Sequence, residues 1–246
     1  MLKANMKTFL IVLCLSSFSS AVKLPEEVKK CSKSDPNLKE CLKDAVLAAF
    51  NKFASGYKPL GIGTLEPMTI SELTTEGSGG ITQVYRNIKI DGISKCHIDN
   101  VDLNINKLTL DMKAVCPHTE MNADYVLKGK LLTFPIDSSG KCNILLDGID
   151  VNHKTKLERF EKDGRKYLRI RDWKMKLTPS KVHFYYENIM PGNKQLSDTI
   201  MKTMNENGVQ IFLEQAIGFE EGYAAVHKAI TNKVFEKIPE DELFLP

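Results

Sequence analysis

The sequence predicts an α+β protein in which a long C-terminal helix is wrapped by a highly curved antiparallel sheet, with a further helix near the N-terminus. Three observations carry that expectation. Apolar residues recur at three- and four-residue steps near both ends of the chain, they alternate with period two over residues 69 to 188, and that alternation repeatedly slips phase.

The N-terminal helix is marked by Asp35 as N-cap, Pro36 at the first helical position, and Gly56 as a stop with Pro59 beyond it. Leu38, Leu42, Val46, Ala49 and Phe53 form its apolar stripe. In the alternating region Val84, Ile88 and Ile90 are expected to share a face, as are Leu108, Leu110 and Met112, and Tyr125, Leu127 and Leu131. The phase slips between Ile98 and Val101, Ile105 and Leu108, Leu146 and Ile149, and Ile170 and Trp173. Each slip is read as a bulge, which bends and twists a strand, so a sheet with several should curl. Lys162-Asp163-Gly164-Arg165 is a hairpin turn. From Lys194 the helical period returns through Leu196, Ile200, Met204, Ile211 and Phe212, then Tyr223, His227, Ile230 and Val234, with Gly208 and Gly218 weakening it at two points. A helical block so long needs an extended partner surface, and a curled sheet supplies one.

Residues 1–21 read as a secretory signal: Lys3 and Lys7, the apolar run Phe9 to Leu15, then Ser19-Ser20-Ala21. Met6 is an alternative start that leaves the signal intact. Residues 22–246 are expected to form a single exported domain, with no linker or repeat inside it. Removing the signal takes away two lysines and no acids, leaving 32 basic against 31 acidic side chains. That balance argues against nucleic acid as a partner. The densest basic stretch, Lys154 to Lys176, reads as a solvated strand face, with an anionic membrane or receptor surface as the alternative. Five cysteines remain; Cys31 and Cys41 pair by proximity, while Cys96, Cys116 and Cys142 leave several pairings open.

The chain lacks His-Glu-x-x-His, Gly-x-Ser-x-Gly, Cys-x-x-Cys and phosphate-loop patterns, so no enzyme chemistry, metal or cofactor is expected. The glycine-rich stretch at Glu76 to Gly80 has no lysine or helix start after it and reads as a loop. His118 beside Cys116 reads as a turn. His227, on the apolar stripe of the last helix, is either a core histidine or a polar anchor in a greasy cavity. One helix against a bent sheet packs incompletely, and the leftover space would be dry and aliphatic, suited to a lipid tail.

The C-terminal run Ile238-Pro239-Glu240-Asp241-Glu242-Leu243-Phe244-Leu245-Pro246 resembles the closing motif of the insect takeout and hemolymph juvenile hormone-binding protein family. The resemblance extends through Asn205-Glu206-Asn207, Asn232-Lys233, Asp163 to Asp172, Lys128 to Leu132 and Gly61 to Pro67, covering nearly the whole chain. Cys31 and Cys41 fall where that family places its N-terminal disulfide. The resemblance implies the tubular lipid-binding fold, with the N-terminal helix near one end of the tube, and a secreted, non-enzymatic carrier; the protein is expected to be a monomer. Its ligand would be a juvenile hormone-like terpenoid, a quinone or a fatty-acyl lipid, with links to circadian output or feeding. Two departures bear on the tunnel: Gly208 stands where many members have an aromatic residue, and Ile217 where many have proline. Strand phase and helix stripe predict a lining of Phe53, Ile88, Ile90, Leu110, Leu131, Leu146, Trp173, Met175, Phe184, Ile200, Met204, Phe212, Tyr223 and His227.

Overall fold

The computed structural model describes residues 22–77, 80–131 and 134–245; the signal read at residues 1–21 lies outside them, as do Ser78 and Gly79 of the glycine-rich stretch. The elements run β1 (Cys31–Ser32), α1 (Leu38–Phe53), β2 (Met68–Gly77), β3 (Ile81–Asp91), β4 (His97–Asn104), β5 (Thr109–Leu131), β6 (Phe134–Lys162), β7 (Arg165–Tyr186), α2 (Lys194–Glu206), α3 (Gly208–Phe235), α4 (Glu240–Leu243) and β8 (Phe244–Leu245). The antiparallel sheet has the order β2-β3-β5-β6-β7, with β4 also paired to β5, while β1 and β8 form a separate parallel pair.

Helix α1 begins two residues later than Asp35 and Pro36 suggest. The Asp35 carboxylate accepts from Asn37 N at 2.7 Å, so it caps the preceding turn, and Asn37 precedes the first helical residue. Gly56, at φ +92°, ends the helix as expected, its N–H donating to Phe53 O.

Strands of 22 to 29 residues far exceed the usual length of about six and must bend. Two of the four phase slips are bulges: the pairing register shifts between Ile98 and Asn100 on β4, and between Lys156 and Leu157 opposite Ile170 and Asp172. The slip at Ile105 to Leu108 is instead the turn joining β4 to β5, with Lys107 N donating to Asn104 Oδ1. The slip at Leu146 to Ile149 is a bend without any register shift. The inward residues skip together on three neighbouring strands, from Cys116 to Thr119, Leu146 to Ile149, and Pro179 to Val182, and the pairing is continuous on both sides. Gly148 sits on that line at φ +56°, and a Cβ there would meet Ser180 Oγ at 2.3 Å. A further register shift between Arg86 and Lys89 separates Val84 from the face of Ile88 and Ile90, so Ile81, Gln83 and Tyr85 point inward instead. The Asp163-Gly164 turn has φ +52° and +73° at its centre, the left-handed pair a tight hairpin requires.

The C-terminal block divides at Asn207 into α2 and α3. Gly218 does not interrupt α3. It lets the helix backbone approach β2, since a Cβ there would lie 2.5 Å from Thr74 O. On its other side the helical block runs along β7: Asn205 accepts from Phe184 N and donates to Phe184 O (2.7 and 3.1 Å), and Asn232 does the same with Ile170 (2.6 and 3.1 Å). Between them, Glu220 accepts from Leu177 N at 3.0 Å. The helix therefore touches both edge strands, and the curled sheet closes on it. Asn232→Ala removes two bonds to one buried edge position and is expected to lower unfolding stability by about 2 kcal/mol, read from the urea midpoint.

Candidate functional site

The space between the sheet and the helices divides into a filled half and a hollow half. The filled half holds large rings. Phe212 and Phe219 stack at 5.4 Å, Phe219 meets Tyr85 at 5.4 Å, and Tyr125 and Tyr186 pack edge to face at 4.8 Å. A buried polar network closes it further: Gln215 Oε1 accepts from Gln83 Nε2 (2.6 Å) and Thr75 Oγ1 (3.3 Å), and the Tyr85 and Tyr186 hydroxyls meet at 2.6 Å. Burial raises both phenols well above the ordinary tyrosine range, so they stay neutral.

The hollow half is a cavity of about 390 Å³. Leu42, Ala45, Val46, Ala49, Phe50 and Phe53 form its α1 wall, and the C-terminal part of α3 supplies Tyr223, His227, Ile230, Thr231 and Val234. Of the residues expected to line a tunnel, Phe53, Ile90, Leu110, Leu146, Trp173, Met175, Tyr223 and His227 border it. Ile88, Phe184, Ile200, Met204 and Phe212 do not. They belong to the packed core, because α2 runs beside the far end of β7 and its side chains reach the aromatic half. The side chain of Leu131 lies outside the described residues.

The Cys31–Cys41 disulfide is present, and Cys96 pairs with Cys116. Cys31, Cys96 and Cys116 all line the cavity. Cys142 is free and buried in the filled half, where burial pushes its thiol up to about 12.

Residues Ile238 to Leu245 close the α1 end of the cavity, and Leu243 and Phe244 form part of its wall. Strand β8 pairs with β1, and the buried Glu240 carboxylate accepts from Arg159 Nε (2.7 Å), Arg159 Nη2 (3.1 Å) and Lys33. Arg159 first, and then Lys33, hold that carboxyl below its usual range. Arg165 bridges Asp241 and Glu242 at 2.8 and 2.7 Å, and Arg169 bridges Glu158 at 3.0 Å. Part of the basic stretch between Lys154 and Lys176 is thus committed to internal ion pairs.

The cavity wall is hydrocarbon apart from a few groups, and the sequence reading missed one of them. His153 points inward in the alternation Val151, His153, Thr155, Leu157 and is 5% exposed. Its ring lies 5.8 Å from that of His227 and 5.6 Å from Trp173. Trp173 Nε1 donates to His153 Nδ1 at 3.1 Å, and His227 Nδ1 lies 2.8 Å from Tyr223 O. The inward phase of His153 was visible in the alternation; its meeting with His227 was not. Among the described residues no group of three or more His, Cys, Asp or Glu is placed to hold a metal ion, and no helix is long and apolar enough to cross a membrane.

A curled antiparallel sheet closed by a long helix around an apolar cavity is the tubular lipid-binding architecture. The haemolymph juvenile hormone binding protein (JHBP) family model matches residues 8–245, and the chain belongs to that family. It is similar to the circadian clock-controlled protein daywake of Drosophila melanogaster, 25% identical over 231 residues, covering 89% of this chain and 88% of that one. The Drosophila yakuba daywake is likewise 25% identical over 232 residues, with the same coverage. Its fold is similar to that of Epiphyas postvittana Takeout 1, with a TM-score of 0.80, 21% identity, and 89% of this chain and 100% of that one covered.

Both cavity histidines are kept neutral. Burial pulls His153 down to about 3, helped by His227, and burial also lowers His227. Each binds its proton less readily folded than unfolded, so its contribution is intact above about pH 6.5 and falls as the pH drops below it, for His153 by about 1.4 kcal/mol per pH unit. Urea unfolding at pH 7.5 and 5.5 is expected to show a loss of stability at the lower pH, about 1.4 kcal/mol of it from His153, and His227→Phe is expected to make the total loss smaller.

Proposed function

We propose that the protein is a secreted, non-enzymatic carrier that holds one small hydrophobic ligand in the cavity between α1, the sheet and the C-terminal half of α3. The observation that carries this reading is the cavity itself: its volume of about 390 Å³ lies within the ~300–1,000 Å³ range of small-molecule sites, and its wall is overwhelmingly aliphatic. A charged ligand finds little there, since Lys29 is the lining's single charged residue among those described, and it is paired with Asp44. Family membership supports the reading and brings juvenile hormone-like terpenoids, quinones and fatty-acyl lipids forward as ligand classes. The daywake relatives, described as circadian clock-controlled, point to timed expression as the physiological setting.

The energetics are adequate without any polar contact. About fifteen buried carbons at ~0.8 kcal/mol each give a gross gain near 12 kcal/mol. Immobilisation costs several kcal/mol, which leaves affinities of roughly micromolar to nanomolar. Organic extraction of natively purified protein followed by mass spectrometry is expected to release a stoichiometric neutral lipid; a clean extract, together with no uptake of any lipid offered, rejects the carrier reading. Ala45→Trp, which places an indole in the cavity from the α1 wall, is expected to weaken binding of the dye N-phenyl-1-naphthylamine by about tenfold, or ~1.4 kcal/mol, with unchanged far-UV circular dichroism.

A further inference from the structure

The hydrogen-bond partners of the two cavity histidines fix their tautomers. An indole N–H only donates, so His153 Nδ1 must accept from Trp173, and the ring's proton sits on Nε2. A backbone carbonyl only accepts, so His227 Nδ1 must donate to Tyr223 O, and its Nε2 carries a lone pair. The two rings thus present opposite polarities: a donor on His153 and an acceptor on His227.

Neither Nε2 has a protein partner among the described residues. Ser138 Oγ is the one buried side-chain nitrogen or oxygen among them left without a partner, so neither Nε2 is shut away from accessible space. Both residues line the cavity. The ring centroids are 5.8 Å apart with no hydrogen bond between them, which leaves the donor and the acceptor to be satisfied by something else. An unpaired polar group in an apolar interior is costly, so an occupant that satisfies both is favoured over one that satisfies neither.

We infer that His153 and His227 form a head-group site for a neutral hydroxyl, so that the preferred ligand class is a long-chain or terpenoid alcohol. This rests on the carrier reading and sharpens it. A hydroxyl oxygen accepts from His153 Nε2–H while its O–H donates to the His227 Nε2 lone pair. An ether, ester or ketone has no proton to give and engages His153 alone. A carboxylate meets no cation at this point of the wall. Trp173 is the positioning residue: by donating to Nδ1 it holds the His153 proton on the cavity side.

Displacement of N-phenyl-1-naphthylamine by tetradecan-1-ol and by its methyl ether tests the site with matched chains. The unmodified protein is expected to prefer the alcohol by about fivefold, the weight of one net hydrogen bond. His227→Phe is expected to abolish that preference, read as the ratio of alcohol to ether affinity within the same variant, since only the alcohol used the lost acceptor. Equal affinities in the unmodified protein, or a preference that survives His227→Phe, overturn the assignment while the carrier reading stands. Failure of both ligands to displace the dye overturns the two together. Nitrogen-15 NMR of the histidine rings needs no substitution: the alcohol is expected to move both Nε2 resonances and the ether that of His153 alone. A His227 Nε2 resonance unmoved by the alcohol overturns the assignment.

Discussion

The structure depends on how the last strand of the sheet meets the helices. An open sheet leaves a row of unpaired N–H and C=O groups along each edge, and a curled one brings both edges toward the same line. Here β7 is answered by side chains. Asn205 and Asn232 each accept from the N–H and donate to the C=O of one residue, as a neighbouring strand would, and Glu220 takes the N–H of Leu177 between them. The spacing suits the two geometries. From Asn205 to Asn232, 27 residues at about 1.5 Å span ~40 Å of helix. From Phe184 back to Ile170, 14 residues at about 3.3 Å span ~46 Å of strand before its bulge and bend shorten it. A helix can therefore track a strand edge antiparallel to it, with one polar side chain about every four turns. On the opposite edge Gly218 lets the helix backbone lie close against β2.

That constraint holds the helices against the sheet along the tube, and the side chains between them fill one part and leave another hollow. Rings and the Gln83–Gln215 network occupy the half beside β3 and the start of α3. Aliphatic side chains, chiefly leucine, isoleucine and valine, line the other half, and they leave it unfilled. At about 24 cal/mol per Å³, an empty cavity of 390 Å³ costs on the order of 9 kcal/mol, comparable to the whole stability of a typical domain. The covalent reinforcement lies where the packing is missing. Both disulfides contribute cysteines to the cavity wall, closing loops of 10 and 20 residues, whereas Cys142, in the filled half, is left as a thiol. A stapled helix in a chain this long is explained by what it borders.

Much of the fold was legible because it is written in local periodicity. The return from period two to period 3.6 near Lys194 places the change from sheet to helix, and Asp163-Gly164 carries its turn in two adjacent residues. The bulges at Ile98 and Ile170 were legible for the same reason. The concerted bend at Leu146 to Ile149 looks like a bulge in one strand, and only the pairing with Cys116 and Pro179 on its neighbours shows that all three turn together. The lining was half legible. A helix stripe states which face is inward but not which inward face meets a void, so Phe212 and Tyr223 looked alike. Asn205 and Asn232 belong to the family-like pattern, but their role is not legible in it, since a side chain standing in for a strand leaves no periodic trace.

The same contrast between local and distant information governs the charges. Lys154 to Lys176 reads as one basic stretch because its residues are neighbours in sequence, yet hairpin geometry separates them by function. Arg169 pairs across the strands with Glu158, a rung of the sheet's outer face. Arg159 and Arg165 reach Glu240, Asp241 and Glu242 some eighty residues away and hold the C-terminal strand against β1. Glu240 is 6% exposed and is bonded from two sides, by Arg159 and Lys33, so it behaves as a buried ion pair whose removal from one side leaves an uncompensated charge. The acidic run that ends the chain and the basic run that ends the sheet are two parts of one clasp. It holds Leu243 and Phe244 in the cavity wall, so that the ion pairs outside and the hydrocarbon surface inside belong to one short segment.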